Sequence, residues 1–253
     1  MKKFAKAIAA ALAALMIVAS LSACSLLESK KTFTISTNAQ FEPFEFIGDD
    51  GEYTGFDIEM AQYIADYMGC ELKVEDMEFN SVITAVTSGK SDAAIACITI
   101  TDERKQTVDF CDSYYSTAQS IIVNEGSEIK GVDDLAGKKI GVLLGTTGDL
   151  FVCDYVEDCE VAQFFSGNEA ALDLVNGKID AIVIDAQPAV ALAAKNDGLV
   201  VLDEPLTDEQ IGIAVNKGNT ELLDQINAAI AKMQSDGTYD ELLVKYGLAA
   251  NAD

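Results

Sequence analysis

The sequence of 253 residues contains no histidine, and this absence excludes several kinds of functional site. Histidine-based catalytic triads, histidine metal sites and histidine proton shuttles all depend on the imidazole ring. No segment pairs a nucleophile with a general base, so covalent catalysis is not indicated either. Tryptophan is also absent, which leaves phenylalanine and tyrosine as the aromatic rings that a pocket can offer to a ligand.

Basic residues are scarce as well. The chain has 17 Lys+Arg against 42 Asp+Glu, a formal net charge of −25. Binding to a phosphate backbone needs clustered cations, so nucleic acid is excluded as a partner and an anionic lipid surface is disfavoured. The excess of acid indicates a solvated surface that resists aggregation. Because 49% of the residues are hydrophobic, the body of the chain is expected to fold as a globule.

The cysteines form no recognisable framework. There are six, none in a CxxC spacing, and one of them, Cys24, belongs to the N-terminal segment. The other five cysteines are an odd number without CxxC spacing, and this pattern indicates neither a zinc site nor a set of disulfides. Cys153 and Cys159 are close enough in sequence to pair, but unpaired thiols fit the sequence at least as well. We expect no metal and no cofactor. The five other cysteines are Cys70, Cys97, Cys111, Cys153 and Cys159.

The N-terminus has the pattern of a targeting segment. Lysines come first, and an apolar run of 15 residues, 7–21, follows them. A membrane span needs roughly 20 residues, so this run is short for one, although an uncleaved helical anchor is the alternative. The run ends in Leu21-Ser22-Ala23-Cys24, which resembles the cleavage box of bacterial lipoproteins. That resemblance implies a signal peptide over residues 1–23, a lipidated Cys24, and a polar tether over residues 24–32.

One helix–strand unit occurs twice in the chain. The stretch Gly89–Ile95 returns 88 residues later as Gly177–Val183, and each copy leads from an apolar helical segment into a short buried strand. The copies align Cys97 with Asp185, just beyond the carboxyl ends of their strands. Ligands of open α/β sheets bind at such strand ends. The repeat therefore predicts two lobes of similar architecture with a cleft between them.

Strands alternate with helices along the whole body, which predicts α/β layers. We assign residues 33–117 and 213–253 to lobe 1 and residues 118–212 to lobe 2. Two β-like stretches, Ser116–Val123 and Gln210–Val215, connect the lobes and are expected to form a two-strand hinge, while the C-terminal helices return to the first lobe. The first helix is expected to be capped by Asp57.

Two charged residues are the strongest candidates for ligand binding. Arg104 follows Thr99 and Thr101 at a predicted helix N-terminus, and a guanidinium beside hydroxyls and free N–H groups suits a carboxylate. Asp185 lies among apolar residues, where a carboxylate is costly unless it is paired. Together they would hold the two ends of a zwitterion. The alternatives are an ordinary surface arginine and a structural salt bridge.

Other segments could complete such a site. Phe41 and Phe56 lie beside a proline and just ahead of a helix, where exposed rings could enclose a side chain. The stretch Gly141–Gly148 lacks the Gly-Lys-Ser/Thr ending of a P-loop and is weak evidence for a nucleotide site. As the start of a helix, it would instead present amides together with the hydroxyls of Thr146 and Thr147.

Six short motifs, taken together, resemble the polar amino-acid-binding proteins of ABC importers, the bacterial solute-binding proteins of family 3. The similarity covers nearly all of residues 33–248. It implies a two-lobe periplasmic-binding-protein-like fold of type II and a monomer that passes a free amino acid to the permease subunits and their ATPase. With the lipid on Cys24, it implies a location on the outer face of a bacterial membrane. The motifs are Asn38–Phe44, Gly55-Phe56-Asp57, Ile98–Arg104, Val108-Asp109-Phe110, Gly145–Gly148 and Asp180-Ala181.

The resemblance also implies roles for individual residues. Arg104 takes the ligand carboxylate with help from threonines, Asp185 takes the ammonium, and the two phenylalanines enclose the side chain. Asn38 contacts the distal polar group where the family often has Asp, so a neutral polar ligand is favoured over lysine or arginine. The alternative is that Glu42 or Glu45 turns inward and supplies the missing charge. Cys97 stands where the family commonly has Gly. The predicted ligand-binding residues are Asn38, Phe41, Phe56, Ala96, Cys97, Thr99, Arg104, Thr146, Thr147 and Asp185.

The sequence alone leaves two other kinds of function as alternatives, an enzyme and a ligand sensor. Some dehydratases share the fold, and such an enzyme would need a general acid over the ligand side chain, for which Glu42 or Glu45 is available. A ligand sensor of a signalling protein is the other alternative, although no later segment resembles a membrane span or an output domain.

Overall fold

The computed structural model describes residues 31–249, so the predicted signal peptide, Cys24 and most of the tether lie outside the described residues. Fifteen strands and seven α-helices occur in this range. The strands are β1 Thr32–Thr37, β2 Gln40–Phe41, β3 Glu45–Ile47, β4 Tyr53–Thr54, β5 Glu71–Asp76, β6 Ala93–Ala94, β7 Val108–Phe110, β8 Tyr115–Thr117, β9 Gln119–Asn124, β10 Lys139–Leu143, β11 Glu160–Phe164, β12 Ala181–Asp185, β13 Leu199–Val201, β14 Glu209–Ile211 and β15 Ala214–Asn216. The helices are α1 Phe56–Met68, α2 Phe79–Thr87, α3 Thr147–Tyr155, α4 Gly167–Val175, α5 Ala186–Lys195, α6 Thr220–Asp236 and α7 Thr238–Lys245.

The strands form two five-stranded sheets, one for each lobe. The first has the order β5-β1-β6-β15-β7, and the second has the order β11-β10-β12-β9-β13. In each sheet a central strand from the sequence repeat pairs in parallel with one neighbour, β6 with β1 and β12 with β10. The expected two-lobe α/β architecture is confirmed, and the carboxyl ends of the repeated strands face the same cleft.

The two lobes are joined by a short antiparallel pair. β8 and β14 pair with the register Glu209↔Thr117, Gln210↔Ser116 and Ile211↔Tyr115. Both strands are only three residues long, and each continues directly into a strand of a lobe sheet. This pair is the predicted two-strand hinge. The exact domain boundaries at residues 117 and 212 stay a prediction.

The start of helix α1 differs from the prediction. Gly55 is the N-cap, with φ 121°, and a side chain there would collide with the backbone oxygen of Phe44 at 2.1 Å. Asp57 is the second helical residue and is fully buried, so its carboxylate points into the lobe and does not cap the helix. The prediction that Asp57 is the cap is therefore wrong, because close packing against Phe44 admits only glycine at the cap position.

The C-terminal helices α6 and α7 pack against α1 of the first lobe. Tyr63 of α1 donates a hydrogen bond to Asp236 at 2.6 Å, and the hydroxyl of Tyr246, just after α7, bonds Glu59 of α1. All five cysteines in residues 31–249 are free thiols. Within the same range, no helix is both long enough and apolar enough to cross a membrane.

Candidate functional site

The cleft between the lobes narrows to a small, tight cavity. The first lobe supplies residues from the β2–β3 hairpin, the start of α2 and the segment after β6. The second lobe supplies the end of β10, the start of α3 and the end of β12. Eight of the ten predicted ligand-binding residues line it. The lining residues are Asn38, Phe41, Glu45, Phe79, Cys97, Thr99, Arg104, Leu143, Thr146, Thr147 and Asp185.

Arg104 reaches across the cleft. It begins a single 3-10 turn, Arg104–Gln106, at the position of the short helix expected there. Its guanidinium donates to the backbone oxygen of Thr99 at 2.8 Å and to that of Gly145, in the second lobe, at 3.1 Å. Burial lowers the pKa of Arg104, yet a guanidinium stays protonated in proteins. Two of its five N–H groups are used in this way, and the others remain for a carboxylate.

Asp185 ends β12 on the opposite side of the cavity. Its side chain is buried, and its Oδ1 atom has no hydrogen-bond partner within residues 31–249. Burial, and then the nearby charge of Glu209, raise the pKa of Asp185 to about 7. A buried oxygen without a donor is costly, and an ammonium in the cavity would supply the missing donor. The expected zwitterion clamp therefore has its two charges on facing walls.

Glu45 is a cavity residue that the sequence offers as a possible general acid, or as a countercharge for a cationic ligand if its side chain turns inward. The residue is fully buried, and within residues 31–249 neither carboxylate oxygen accepts a hydrogen bond. Its carboxyl lies beside that of Asp57, and the two hydrogen-bond when one of them is protonated. Burial, followed by the nearby Asp57, raises the pKa of Glu45 well above its ordinary value. Glu45 lies directly opposite Phe41 in the β2–β3 hairpin. Because opposite residues share a face, Phe41 in the cavity places Glu45 there too.

Asp57 supports the cavity from behind. Its carboxylate accepts the N–H of Cys97 at 2.7 Å and the hydroxyl of Tyr114 at 2.9 Å. Burial raises the pKa of Asp57 to about 6, even though these hydrogen bonds lower it. The N–H that donates to Asp57 belongs to Cys97, whose φ of 45° is a left-handed conformation that favours glycine. The cysteine at this position is therefore fixed in a backbone shape that a glycine adopts at lower cost.

The predicted aromatic wall needs a correction. Phe56 is fully buried and packs with Tyr114 and Tyr239, at ring distances of 6.2 and 5.6 Å. As the first residue of α1, it faces the core and not the cleft. Phe79, at the start of α2, lines the cavity, and its ring centre lies 5.5 Å from the Arg104 guanidinium.

Ala96 is also placed differently from the prediction. It is buried in a small apolar cluster beneath α2, together with Val82 and Ile98. Side chains alternate between the two faces of an extended segment. Cys97 therefore faces the cavity, and the alanine before it faces the helix.

The hydroxyls at the floor of the cavity converge on a residue that was not predicted. Thr99 and Thr147 both donate to one oxygen of Glu209, at 2.7 and 2.8 Å. Gln119 donates to Thr147 at 3.2 Å from behind. Thr146 caps α3 by accepting the N–H of Asp149 at 3.3 Å. The sequence carries no local pattern that marks Glu209, since its contacts form only when the hinge strands pair.

Glu42, the other candidate general acid, lies at the mouth of the cleft. It forms an ion pair with Lys195 of the second lobe and lines a wider, open cavity there. It is not among the residues that line the cavity of Arg104 and Asp185.

Because Phe56 lies in the core and Phe79 lines the cavity, replacing each with leucine should affect different properties of the protein. Phe56→Leu should lower the free energy of unfolding by about 1–1.5 kcal/mol, the range for a core swap of similar volume. It should leave ligand affinity within about twofold. Phe79→Leu should weaken binding by more than it lowers stability, because its ring lines the cavity. Urea unfolding and calorimetry on both variants check this pair, and equal affinity losses would contradict the assignment.

Comparison with known proteins agrees with the fold. Residues 33–249 match the family of bacterial extracellular solute-binding proteins, family 3. The chain is 37% identical to the L-cystine-binding protein TcyJ of Escherichia coli K12, over 87% of this chain and 84% of that protein. It is 36% identical to an L-arginine-binding protein of Pseudomonas aeruginosa, over 85% and 88%.

Solved structures give the same result. The crystal structure of an ancestral arginine-binding protein bound to arginine superposes with a TM-score of 0.82 at 40% identity, over 87% of this chain and 99% of that one. The named relatives are binding proteins and not enzymes. The family model covers almost all of the described residues, so the resemblance carried by the sequence motifs is confirmed. The chain belongs to the bacterial extracellular solute-binding proteins of family 3.

Proposed function

We propose that this protein is a receptor that binds L-arginine between its two lobes and delivers it to an ABC permease with its ATPase. The observation that carries the choice of ligand is Glu45. It is a buried carboxylate in the cavity wall, and neither of its oxygens accepts a hydrogen bond from the residues that the structure describes. Membership of the family supports the transport role, and the charges of the cavity support an amino acid as the ligand.

The backbone of the amino acid would be held by the two facing charges. Arg104 offers unused guanidinium N–H groups to the carboxylate, and Asp185 offers a free oxygen to the ammonium. These groups are buried, so the two interactions are only weakly screened by water and salt. Because a zwitterion satisfies both charges, this part of the cavity accepts any amino acid and does not choose among side chains.

Glu45 supplies the choice of side chain. After a zwitterion has paired with Arg104 and Asp185, Glu45 is the remaining ionisable group in the cavity wall with no opposite charge. A cationic side chain removes that imbalance. Two free oxygens on one carboxylate match the planar fork of a guanidinium better than the single ammonium of lysine. The rings of Phe41 and Phe79 offer flat surfaces on which a guanidinium stacks.

This proposal departs from the neutral polar ligand that the sequence favoured. That expectation depended on Asn38, which carries no charge. In the structure the amide nitrogen of Asn38 already donates to the backbone oxygen of Met77 at 2.9 Å, so its second N–H and its oxygen are left for a ligand. An oxygen accepts from a guanidinium as well as from an amide. With Glu45 turned inward, the cavity has the countercharge that Asn38 lacks.

The names of relatives support a polar amino acid and do not choose one. They include proteins that bind L-cystine, L-arginine and glutamine. The ancestral arginine-binding protein has been solved with arginine and also with glutamine. Arginine and glutamine are therefore the two ligands that most need to be distinguished. Glutamine would place an uncharged amide against Glu45, which suits a protonated carboxyl better than an ionised one.

The lipid anchor and the oligomeric state belong to the same proposal. Cys24 is proposed to carry the lipid after residues 1–23 are removed, and residues 24–32 would tether the receptor to the outer face of the membrane. Two or more acyl chains would hold it firmly where one would be marginal. We infer a monomer with lobe 1 over residues 33–117 and 213–253 and lobe 2 over residues 118–212. Mass spectrometry of the mature protein tests the anchor.

A thermal-shift screen tests the ligand. The protein without residues 1–23 is unfolded and refolded to remove any bound ligand and is then mixed with each common amino acid, ornithine and cystine. Arginine should give the largest rise in melting temperature, since ligand at a thousandfold its dissociation constant stabilises by about 4 kcal/mol. No shift with any amino acid would contradict the proposed function. A larger shift with a neutral amino acid would contradict the choice of arginine.

The affinity for arginine should fall at low pH. The pKa of Glu45 is raised when no cation faces it, and a bound guanidinium favours the ionised form, so binding releases a proton. Affinity that depends on one released proton falls by up to about tenfold per pH unit below the raised pKa. Asp185, with a pKa of about 7, affects every amino acid alike, whereas Asp57, with a pKa of about 6, lies beside Glu45 and titrates together with it. Calorimetry between pH 8 and pH 5 should therefore show a falling ratio of arginine to glutamine affinity, and a constant ratio would contradict it.

A further inference from the structure

The hinge contains a buried carboxylate that the ligand-holding residues do not include. Glu209 is the first residue of β14 and lies opposite Thr117 of β8 in the hinge pair. A buried carboxylate needs hydrogen-bond donors to be stable. Its partners are hydroxyls from three segments, together with a more distant amide from Gln119 at 3.5 Å.

The two short hydrogen bonds of Glu209 come from different lobes. Thr99 follows β6 in the first lobe, and Thr147 begins α3 in the second lobe. Their hydroxyls donate to the same oxygen, Oε2, at 2.7 and 2.8 Å, and lie 3.3 Å from each other. The other oxygen accepts from Thr207 at 3.0 Å. One atom of a hinge residue thus joins both walls of the cleft.

This arrangement fixes what the two hydroxyls can offer a ligand. A hydroxyl has one proton, and both threonines give theirs to Glu209, so they present only lone pairs to the cavity. Lone pairs accept from an ammonium, which is the group that Asp185 faces. They repel a carboxylate, so the role of these two hydroxyls differs from the one beside Arg104 that the family resemblance implies for the threonines. Glu209 therefore orients two cavity hydroxyls toward one end of a zwitterion without touching it.

We propose that Glu209 is a positioning residue that couples closure of the lobes to recognition of the ligand ammonium. Opening the cleft has to separate Thr99 from Thr147, so at least one of the two hydrogen bonds to Oε2 breaks. Closing re-forms both bonds and sets both hydroxyls as acceptors. The inference rests on the proposed function for the identity of the ligand, but it holds for any amino acid that the cavity accepts.

Glu209→Gln tests the inference because it keeps the shape and removes the charge. Every amino acid that binds should bind about tenfold more weakly, by the same factor for cationic and neutral ligands, and should dissociate faster in stopped-flow measurements. Asp208→Asn is the matched control, since Asp208 is the exposed acid next in sequence. It should change neither quantity. Affinity within twofold of wild type in Glu209→Gln would overturn the inference, even with arginine confirmed as ligand.

A double-mutant cycle separates positioning from a merely structural role. Thr147→Val removes one of the two hydroxyls and leaves the hinge strand intact, so it should weaken binding to a similar extent. The double variant Glu209→Gln/Thr147→Val should then lose little more than either single variant, because both changes break the same unit. Additive losses would overturn the inference. If Glu209→Gln does not fold, wild-type affinity in Thr147→Val overturns it as well.

Discussion

Replacing Arg104 with alanine is expected to weaken the binding of every amino acid by about 2–5 kcal/mol, the range for removing one partner of a buried charge pair. The ligand carboxylate would lose its guanidinium in a cavity that contains Glu45 and Asp185, both acidic. Asp185→Asn should have an effect of similar size, since it leaves the ammonium without its charge partner. Calorimetry with the ligand chosen by the thermal-shift screen measures both.

Lys105→Ala is the control for Arg104→Ala. It removes a cation from the adjacent position, where the side chain is exposed and pairs only with Asp102. Its affinity should match wild type. The affinity of Arg104→Lys should lie between those of wild type and Arg104→Ala, because lysine keeps the charge but lacks the planar, two-pronged guanidinium. If Arg104→Ala or Asp185→Asn binds within threefold of wild type, the zwitterion clamp is wrong.

The second large effect is expected at Glu45. Glu45→Gln should weaken the binding of arginine by about 2–4 kcal/mol, because the guanidinium of the ligand would be desolvated without a countercharge. The affinity for glutamine, whose side chain has no charge to compensate, should change by less than about tenfold. The substitution keeps the shape of the side chain and removes a carboxyl that accepts no hydrogen bond from the residues that the structure describes, so the fold should tolerate it. Competition calorimetry with both ligands gives the ratio directly.

Glu42→Gln is the matched control for this substitution. Glu42 lies three positions earlier and pairs with Lys195 across the cleft mouth, outside the cavity. It should leave the ratio of arginine to glutamine affinity unchanged. An unchanged ratio in Glu45→Gln, with a changed one in Glu42→Gln, would place the side-chain site at the mouth and contradict the proposal.

The sequence was sufficient to predict which residues lie at the cleft where a local pattern determines the edge of the sheet that a residue occupies. The repeat aligned Cys97 with Asp185, and the structure places both at the cleft because both follow central strands. Arg104 was found from its neighbours, and it is also the sole arginine of the chain, a stronger signal than the one used. These residues depend on strand order, which the alternation of helices and strands makes predictable.

The sequence was insufficient where packing decides the direction of a side chain. Phe56 and Phe79 both stand at the first position of a helix, yet only Phe79 faces the cavity. The two positions have the same local pattern, and only the packing of each helix on its sheet separates them. Glu209 depends on the pairing of two hinge strands far apart in sequence. Asp57 looked like a helix cap because the requirement for glycine beside Phe44 is a tertiary contact.

The affinities of L-arginine and L-citrulline for the wild-type protein test the central claim most directly. Citrulline has the same length and shape but carries a neutral urea group in place of the guanidinium. If Glu45 provides the countercharge for the side chain, calorimetry at neutral pH should show arginine binding at least about tenfold more tightly, a difference of about 1.4 kcal/mol. Equal affinities, or tighter binding of citrulline, would contradict the account.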